Sequence, residues 1–266
     1  MKEIWDRYWS EVAPLDITNV IENDSYYRLL KKLVILPQNK NLSILEVGSG
    51  SGTRTLALVK EFQNYTINAT FVDFSSIALG YARENAKKNG VDASYILADA
   101  LNLPFPDGVF DIVWNEGVNE HFDGDNRQSI FKEMARVCRY KGQVIVIVPN
   151  SLNIPYRLRK RIAEIRKTWE YGFEKPYTIF ELKEKMRNSG LAIVKGGGMG
   201  ILGSLLSLKE IIVYKGKNRK NVINDRTNSH RTNFSKIFRI TEIILEDMLW
   251  FVGSNIGIKG LKCEQK

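Results

Sequence analysis

The sequence has few cysteines, no long hydrophobic run and no apolar segment near its first residue. Its two cysteines, Cys138 and Cys263, lack the spacing of a disulfide framework or a zinc site, which favours a reducing cytoplasm. No stretch is apolar for long enough to cross a bilayer. The opening Met-Lys-Glu-Ile-Trp-Asp-Arg lacks the apolar core of a signal peptide. We therefore expect a cytoplasmic protein with neither structural disulfides nor a metal centre.

Acidic residues are scarce in the second half of the chain. Residues 1–150 carry 16 Lys and Arg against 19 Asp and Glu, whereas residues 151–266 carry 23 against 11. The net charge of +9 therefore comes entirely from the second half. Such an asymmetry suits an anionic substrate, a nucleic acid or a membrane surface, and it is equally typical of a solvated face without a partner.

Residues 43–57 predict a strand, a tight turn and the start of a helix, around which the rest of the chain is organised. A short apolar run ends in three glycines at alternate positions, Gly48, Gly50 and Gly52. Glycine is needed where φ is positive and where a ligand contacts the backbone, because a Cβ atom would block both. Glu46 lies at the end of the strand, where an open α/β sheet presents its carboxyl edge to a ligand.

The glycine spacing separates two kinds of ligand. A dinucleotide site requires G-x-G-x-x-G, but Thr53 stands where its last glycine should be. The pattern instead resembles motif I of the class I S-adenosylmethionine-dependent methyltransferases, G-x-G-x-G preceded by an acid. The resemblance implies that Glu46, Gly48, Ser49, Gly50 and Gly52 contact the cofactor, S-adenosyl-L-methionine. An NAD(P)-dependent oxidoreductase on a similar sheet is the alternative enzyme.

Two further predicted strands also end in acids. Asp73 lies 25 residues beyond Gly48, about the distance that brings two strand ends together in a βαβ unit. The resemblance implies that Asp73 accepts both ribose hydroxyls with Phe74 beside it, and that Asp99 and Ala100 receive the adenine. The alternatives are an acid at a helix N-terminus for Asp73 and an exposed loop acid for Asp99.

The fourth predicted strand is followed by Asn-Glu-Gly-Val-Asn-Glu-His-Phe at residues 115–122. Small-molecule methyltransferases have a similar pattern, which implies cofactor contacts for Asn115 and Glu116. His121 is our first candidate for a general base and Glu120 our second, although His121 could equally cap or support the next helix. The Asn-Pro-Pro-aromatic and Pro-Cys motifs of two kinds of base-methylating enzyme are missing, which argues against a base-modifying enzyme of either type.

The resemblance implies an α/β fold, a Rossmann-like, doubly wound, seven-stranded and mostly parallel sheet whose last strand is antiparallel. The resemblance does not specify the helical insertions, which we expect to form a cap. We expect the helices at 1–38 to form a lid in which Tyr8 contacts the cofactor. The other predicted units are a core at 39–200 with a basic helical insertion at 151–176, a cap or dimer surface at 201–253, and a closing strand at 254–266.

The expected function is S-adenosylmethionine-dependent methylation of an O, N or C atom on a small or lipid-like acceptor, which could be anionic. The basic helix within 151–176 could lie on anionic lipid, contact an anionic substrate, or cover the site. Homodimerisation is a further expectation. A protein that binds RNA or membranes on the same fold without turnover is the alternative of another class, motivated by the basic second half.

Overall fold

Seven strands form one sheet with helices on both faces. The computed structural model describes residues 2–11, 16–38, 40–201 and 236–264. The strands are β1 (Asn41–Val47), β2 (Thr66–Asp73), β3 (Ala93–Leu97), β4 (Phe110–Glu116), β5 (Cys138–Pro149), β6 (Leu191–Met199) and β7 (Asn255–Lys262). Their order is β3-β2-β1-β4-β5-β7-β6, and only β7 runs antiparallel to its neighbours. The predicted fold class is confirmed.

The helices follow the strands in a βαβ alternation. In the described ranges they are α1 (Lys2–Glu11), α2 (Ile17–Asn23), α3 (Ser25–Leu33), α4 (Thr53–Glu61), α5 (Ser76–Lys88), α6 (Asn126–Val137), α7 (Ile154–Ile165), α8 (Ile179–Arg187) and α9 (Lys236–Leu249). The helices expected at 1–38 are α1, α2 and α3, and the basic helix expected within 151–176 is α7. Asp16 caps α2 by accepting a hydrogen bond from the Thr18 N–H.

The central strands are buried on both faces, as expected for parallel strands between two helical layers. Residues 144–148 of β5 are all fully buried, and Trp114 of β4 is the largest fully buried side chain. The Trp114 indole N–H donates to the Thr55 hydroxyl at 2.9 Å, which joins β4 to α4. The sheet core therefore holds the carboxyl ends of β1 and β4 next to the start of α4.

Two local features are set by packing. The glycines at 196–198 lie inside β6. A Cβ atom on Gly198 would lie 2.0 Å from the Trp250 carbonyl oxygen, so this close approach requires glycine within the strand. The basic helix expected within 151–176 is α7, which ends at Ile165, and Lys167 just beyond it has a φ of 55°.

The predicted insertion at 201–253 is described only in part. Residues 202–235 lie outside the described residues, and α9 follows them. Helix α9 packs against α3 through ion pairs from Arg28 to Glu246 and from Lys32 to Asp247. The closing strand predicted after it is β7.

Candidate active site

The glycine turn joins β1 to α4 in a backbone conformation that other residues rarely adopt. Gly48, Gly50 and Gly52 have φ values of 68°, 53° and 64°. A Cβ atom on Gly48 would lie 2.5 Å from Val118, in the loop after β4, and one on Gly50 would lie 2.3 Å from the Trp9 ring. The turn is therefore packed closely between the β4 loop and α1, with no space for side chains of its own.

Asp73 lies at the end of β2 and supports the turn. One carboxylate oxygen accepts a hydrogen bond from the Gly50 N–H at 2.9 Å, and the other accepts from the Ser75 N–H at 2.9 Å. Burial raises the pKa of Asp73, and these backbone hydrogen bonds oppose that rise. Each oxygen has a second lone pair, so the carboxylate retains acceptor capacity for a diol.

Glu46 is buried at the end of β1 beside the turn. Burial raises the pKa of its carboxyl to about 8, while the Thr55 hydroxyl and Arg54 partly oppose that rise. Its Oε2 atom and the Ser49 hydroxyl are buried and find no hydrogen-bond partner among the described residues. Two buried polar groups without partners in the described chain, one just before the glycine turn and one within it, are typical of groups that bind a polar ligand.

The raised pKa of Glu46 predicts a pH-dependent stability. The folded chain binds a proton on this carboxyl up to about pH 8, whereas the unfolded carboxyl releases it near its ordinary pKa of 4.5. The free energy of unfolding therefore falls as pH rises through this window. Urea titrations of the ligand-free chain at several pH values should show that the free energy of unfolding falls less with pH in Glu46→Gln than in the wild type. The exposed Glu84→Gln serves as the control, and parallel curves for all three chains would contradict the prediction.

Asn115 and Glu116 end β4 on the opposite side of the turn. Asn115 is fully buried, donates to the Asn119 Oδ1 atom at 2.5 Å, and has an Oδ1 atom without a partner in the described part of the chain. Burial raises the pKa of Glu116 to about 7, and Arg54 opposes this from 3.2 Å. Arg54 also binds Asp24 at 2.9 Å, so it anchors the β4 end to the N-terminal helices. This bridge could not be predicted from the sequence.

His121 and Glu120 lie in a short 3-10 turn, Asn119–His121, directly after β4. The His121 Nδ1 atom lies 2.6 Å from the Phe173 carbonyl oxygen. A carbonyl only accepts, so Nδ1 carries the hydrogen and Nε2 is the nitrogen able to take up a proton. Burial lowers the pKa of His121 and raises the pKa of Glu120 well above its ordinary value. Burial therefore favours the neutral form of both groups, which leaves the histidine able to accept a proton and favours the carboxyl group as a donor.

Helix α1 covers this edge of the sheet with its aromatic face. The Trp9 ring lies against Gly50, and the Trp5 ring packs edge-on against His121 with centroids 5.1 Å apart. Tyr8 packs between them, at 5.5 Å from Trp5 and 5.3 Å from Trp9. The sequence predicted an aromatic lid but selected Tyr8, whereas the tryptophans contact the turn and the histidine. Their i, i+4 spacing places both on one helix face and could have indicated them.

The remaining predicted residues lie along the β2 and β3 ends. Phe74 and Ala100 are partly buried and Asp99 is exposed. Asp99 accepts a hydrogen bond from the Leu101 N–H at 2.9 Å, which shapes the loop after β3. The structure thus places the predicted residues along one carboxyl edge, from Asp99 through the glycine turn to His121.

Residues 171–174 form a further wall that the sequence did not indicate. Glu174 accepts a hydrogen bond from the Tyr156 hydroxyl of α7, and burial raises the pKa of Glu174. Tyr171 packs 5.6 Å from Tyr8. Within the described ranges, no His, Cys, Asp and Glu side chains are grouped so that three could hold a metal ion, and no helix is both long and apolar enough to span a bilayer.

Comparisons with known proteins agree with this geometry. Residues 44–142 match a family described as "Methyltransferase domain". The chain is 29% identical to ajmaline N-methyltransferase of Rauvolfia serpentina over 113 residues, which are 42% of this chain and 37% of that enzyme. It is 26% identical to 27-O-demethylrifamycin SV methyltransferase of Amycolatopsis mediterranei (strain S699) over 199 residues, 71% of this chain and 70% of that enzyme.

A solved structure has a similar fold. This structure is a complex between the Haloferax volcanii Trm112 methyltransferase activator and a candidate methyltransferase, and the matched chain has a TM-score of 0.63 and 15% identity. The match covers 100% of this chain and 98% of the other. The chain spans little more than a third of the length of the plant relative, so the acceptor of that enzyme does not carry over. Residues 44–142 are thus similar to a methyltransferase domain, and the glycine turn and the sheet order agree with that similarity.

Proposed function

We propose that this protein transfers a methyl group from S-adenosyl-L-methionine to an O, N or C atom of a small or lipid-like molecule. The observation that carries the proposal is the glycine turn with Glu46 and Ser49 beside it. Both side chains are buried, and each has a polar oxygen without a partner in the described residues. The matched methyltransferase domain covers these residues.

The polar groups of the site fit the cofactor at both of its ends. A bound ammonium group would favour release of the Glu46 proton and pair with the resulting carboxylate, and the Ser49 hydroxyl can donate to a carboxylate. Together these two groups would hold the aminoacyl end. Asp73 retains acceptor lone pairs for a ribose diol. Asp99, with the backbone N–H of Ala100, would meet the adenine beside Phe74. We assign Asn115, Glu116 and Tyr8 to the cofactor side, together with Gly48, Gly50 and Gly52.

Bound there, the cofactor supplies a methyl carbon that is already activated by the sulfonium charge. The chain therefore has to align the acceptor and exclude water, and proximity supplies much of the rate. Trp5 and Trp9 of α1 cover the edge of the sheet and shield it from solvent. Opening of α1 would admit ligands, which is the lid role that we propose for the N-terminal helices.

His121 is the residue that we propose as general base for a hydroxyl acceptor. Its pKa is lowered by burial, so it is neutral at pH 7, and the Phe173 carbonyl holds the tautomer in which Nε2 accepts. Glu120, with its raised pKa, is better suited to donate a proton or a hydrogen bond. An uncharged amine acceptor would need no base, because its lone pair is already free.

Calorimetric titration tests the cofactor assignment directly. The purified chain should bind S-adenosylmethionine and S-adenosylhomocysteine saturably and should not bind NADH. Asp73→Ala should weaken the binding of both sulfur compounds by roughly 1–3 kcal/mol, the cost of leaving buried polar groups unpaired.

The exposed acid Asp92, just before β3, provides the matched control, and Asp92→Ala should bind like the wild type. Preference for NADH, or no binding of either sulfur compound by a folded chain, would refute the proposed function.

A further inference from the structure

Helix α7 carries its apolar residues on the outside. Ile154, Leu158 and Ile165 are 72%, 49% and 68% exposed. At 100° per residue these three lie on one face of the helix within about 40° of each other. An ordinary surface helix turns such a stripe toward the core, so this face lacks a partner within the described chain.

The inner face of α7 is held by polar and aromatic contacts instead. Tyr156 is buried and its hydroxyl donates to Glu174. The Lys160 ammonium pairs with Glu164 and lies 5.1 Å from the centroid of the Trp169 ring. These contacts fix the rotation of the helix, so the outward position of the apolar stripe follows from specific packing.

Basic residues accompany the stripe. Arg157 and Arg161 are exposed on the same face, and together with Ile154, Leu158 and Ile165 they span about 100° of the helix. Arg166 and Lys167 are exposed just beyond the helix end. The only acid on α7, Glu164, lies outside this arc and pairs with Lys160 and Arg161. The exposed face is therefore both apolar and positively charged.

Exposed apolar residues extend the surface on both sides of α7. Leu152 precedes the helix and is 44% exposed, and Phe173 follows it and is 50% exposed. Leu152, Ile154, Arg157, Leu158, Arg161, Ile165 and Phe173 are named here the α7 face. Such a combination of aliphatic, aromatic and basic side chains is typical of helices that lie in the plane of a membrane interface.

We propose that the α7 face binds the surface of an anionic lipid bilayer. The aliphatic side chains would enter the headgroup region while the arginines meet lipid phosphates, their long stems allowing both contacts at once. A second copy of this chain would bring arginines against arginines, which costs energy. A nucleic acid would neutralise the arginines but leave the aliphatic side chains in water. Of these surfaces, only anionic lipid complements both features.

The position of the α7 face connects this surface to the proposed site. Phe173 is half exposed, while its carbonyl oxygen accepts the hydrogen bond from His121. Tyr156 and Glu174 likewise connect α7 to the wall beside the β4 end. A membrane docked on this face would lie next to the acceptor side of the site. The inference itself concerns docking and does not depend on methyl transfer.

Vesicle flotation of the full chain tests the inference. The chain should float with vesicles of phosphatidylcholine and phosphatidylglycerol, less with phosphatidylcholine alone, and less as salt is raised. Ile154→Ser/Leu158→Ser/Ile165→Ser should lower the partition coefficient by about tenfold or more. Arg157→Gln/Arg161→Gln should lower it by about tenfold on the anionic vesicles and little on the neutral ones.

Matched substitutions elsewhere on the surface distinguish docking through the α7 face from non-specific effects of exposed apolar residues and of net charge on vesicle binding. Phe180→Ser on α8 removes a residue that is 76% exposed, and Lys87→Gln/Lys88→Gln removes two exposed charges from α5. Both controls should float like the wild type, and circular dichroism should show all variants folded.

Three outcomes would overturn the inference. The first is no flotation of the wild-type chain, and the second is equal losses in the α7 variants and the controls. The third is a partner of another kind, shown by a dimer that the α7 variants convert to monomer, or by RNA binding that they abolish while vesicle binding is absent.

Discussion

Replacing His121 with asparagine lowers the rate of methyl transfer to a hydroxyl acceptor by about 10²–10⁴-fold, the usual contribution of a positioned general base. Asparagine retains an N–H that can donate to the Phe173 carbonyl but lacks the Nε2 lone pair. The measurement uses a panel of phenols and amines with S-adenosylmethionine radiolabelled on its methyl group. The rate with uncharged amines should fall far less, because their nitrogen carries no proton that must leave before attack.

The other histidine of the chain provides the control for this substitution. His230 falls outside the described residues, and His230→Asn should leave the rates unchanged. An equal loss for phenols and amines in His121→Asn would assign His121 to positioning instead of proton transfer. Unchanged rates would remove it from the reaction altogether.

The same histidine should be recognisable without any substrate. Burial lowers its pKa below the ordinary 6.5, so its ring should titrate at lower pH than an exposed imidazole. Histidine NMR titration of the His230→Asn chain, which retains one histidine, reports this pKa and the Nδ1–H tautomer. Rates with hydroxyl acceptors should fall as pH drops through this pKa, because the protonated ring cannot accept. A pKa above 6.5 would contradict the proposed role.

Gly50→Ala is expected to weaken the binding of S-adenosylmethionine. The position has a φ of 53°, which strains any L-residue, and the new Cβ atom would lie 2.3 Å from the Trp9 ring. Strain and displacement of α1 together should weaken binding by roughly 1–3 kcal/mol, measured by calorimetry with S-adenosylmethionine. The Gly50 N–H would also move away from Asp73, whose carboxylate it now holds at 2.9 Å.

Gly80→Ala is the matched control for this loss. Gly80 lies within α5, and no described atom comes within 4 Å of the position that its Cβ would take. Alanine there should stabilise the helix by about 0.5–1 kcal/mol and leave cofactor binding unchanged. Equal binding by both alanine variants would show that the glycine turn is not the cofactor site.

Local pattern was sufficient for most of the framework. The glycines at 48, 50 and 52 stand at alternate positions directly after β1. Their positive φ values agree with the reason for expecting glycine there. Asn255–Lys262 was predicted as the closing strand from the alternation of its residues. The alternation of strands and helices is encoded in spacings of a few residues, so a single sequence is enough to recognise it.

Contacts between distant segments could not be predicted in this way. The sequence indicated an aromatic N-terminal helix, but only packing places Trp9 on Gly50 and Trp5 on His121. Arg54 and Glu174 lie at the candidate site because α4 and the loop after α7 pack against the end of β4. Sequence spacing carries no information on such meetings, since they depend on the relative positions of whole elements.

The sequence by itself determined the family resemblance, the strand ends that carry Glu46, Asp73 and Asn115, and the basic character of residues 151–176. Only the tertiary structure decided the direction in which α7 faces. Its pattern of aliphatic and basic residues reads like an ordinary amphipathic helix, whose apolar side normally packs inward. Because Tyr156 and Lys160 find Glu174 and Trp169 as partners, the polar side packs inward and the aliphatic side is left on the surface.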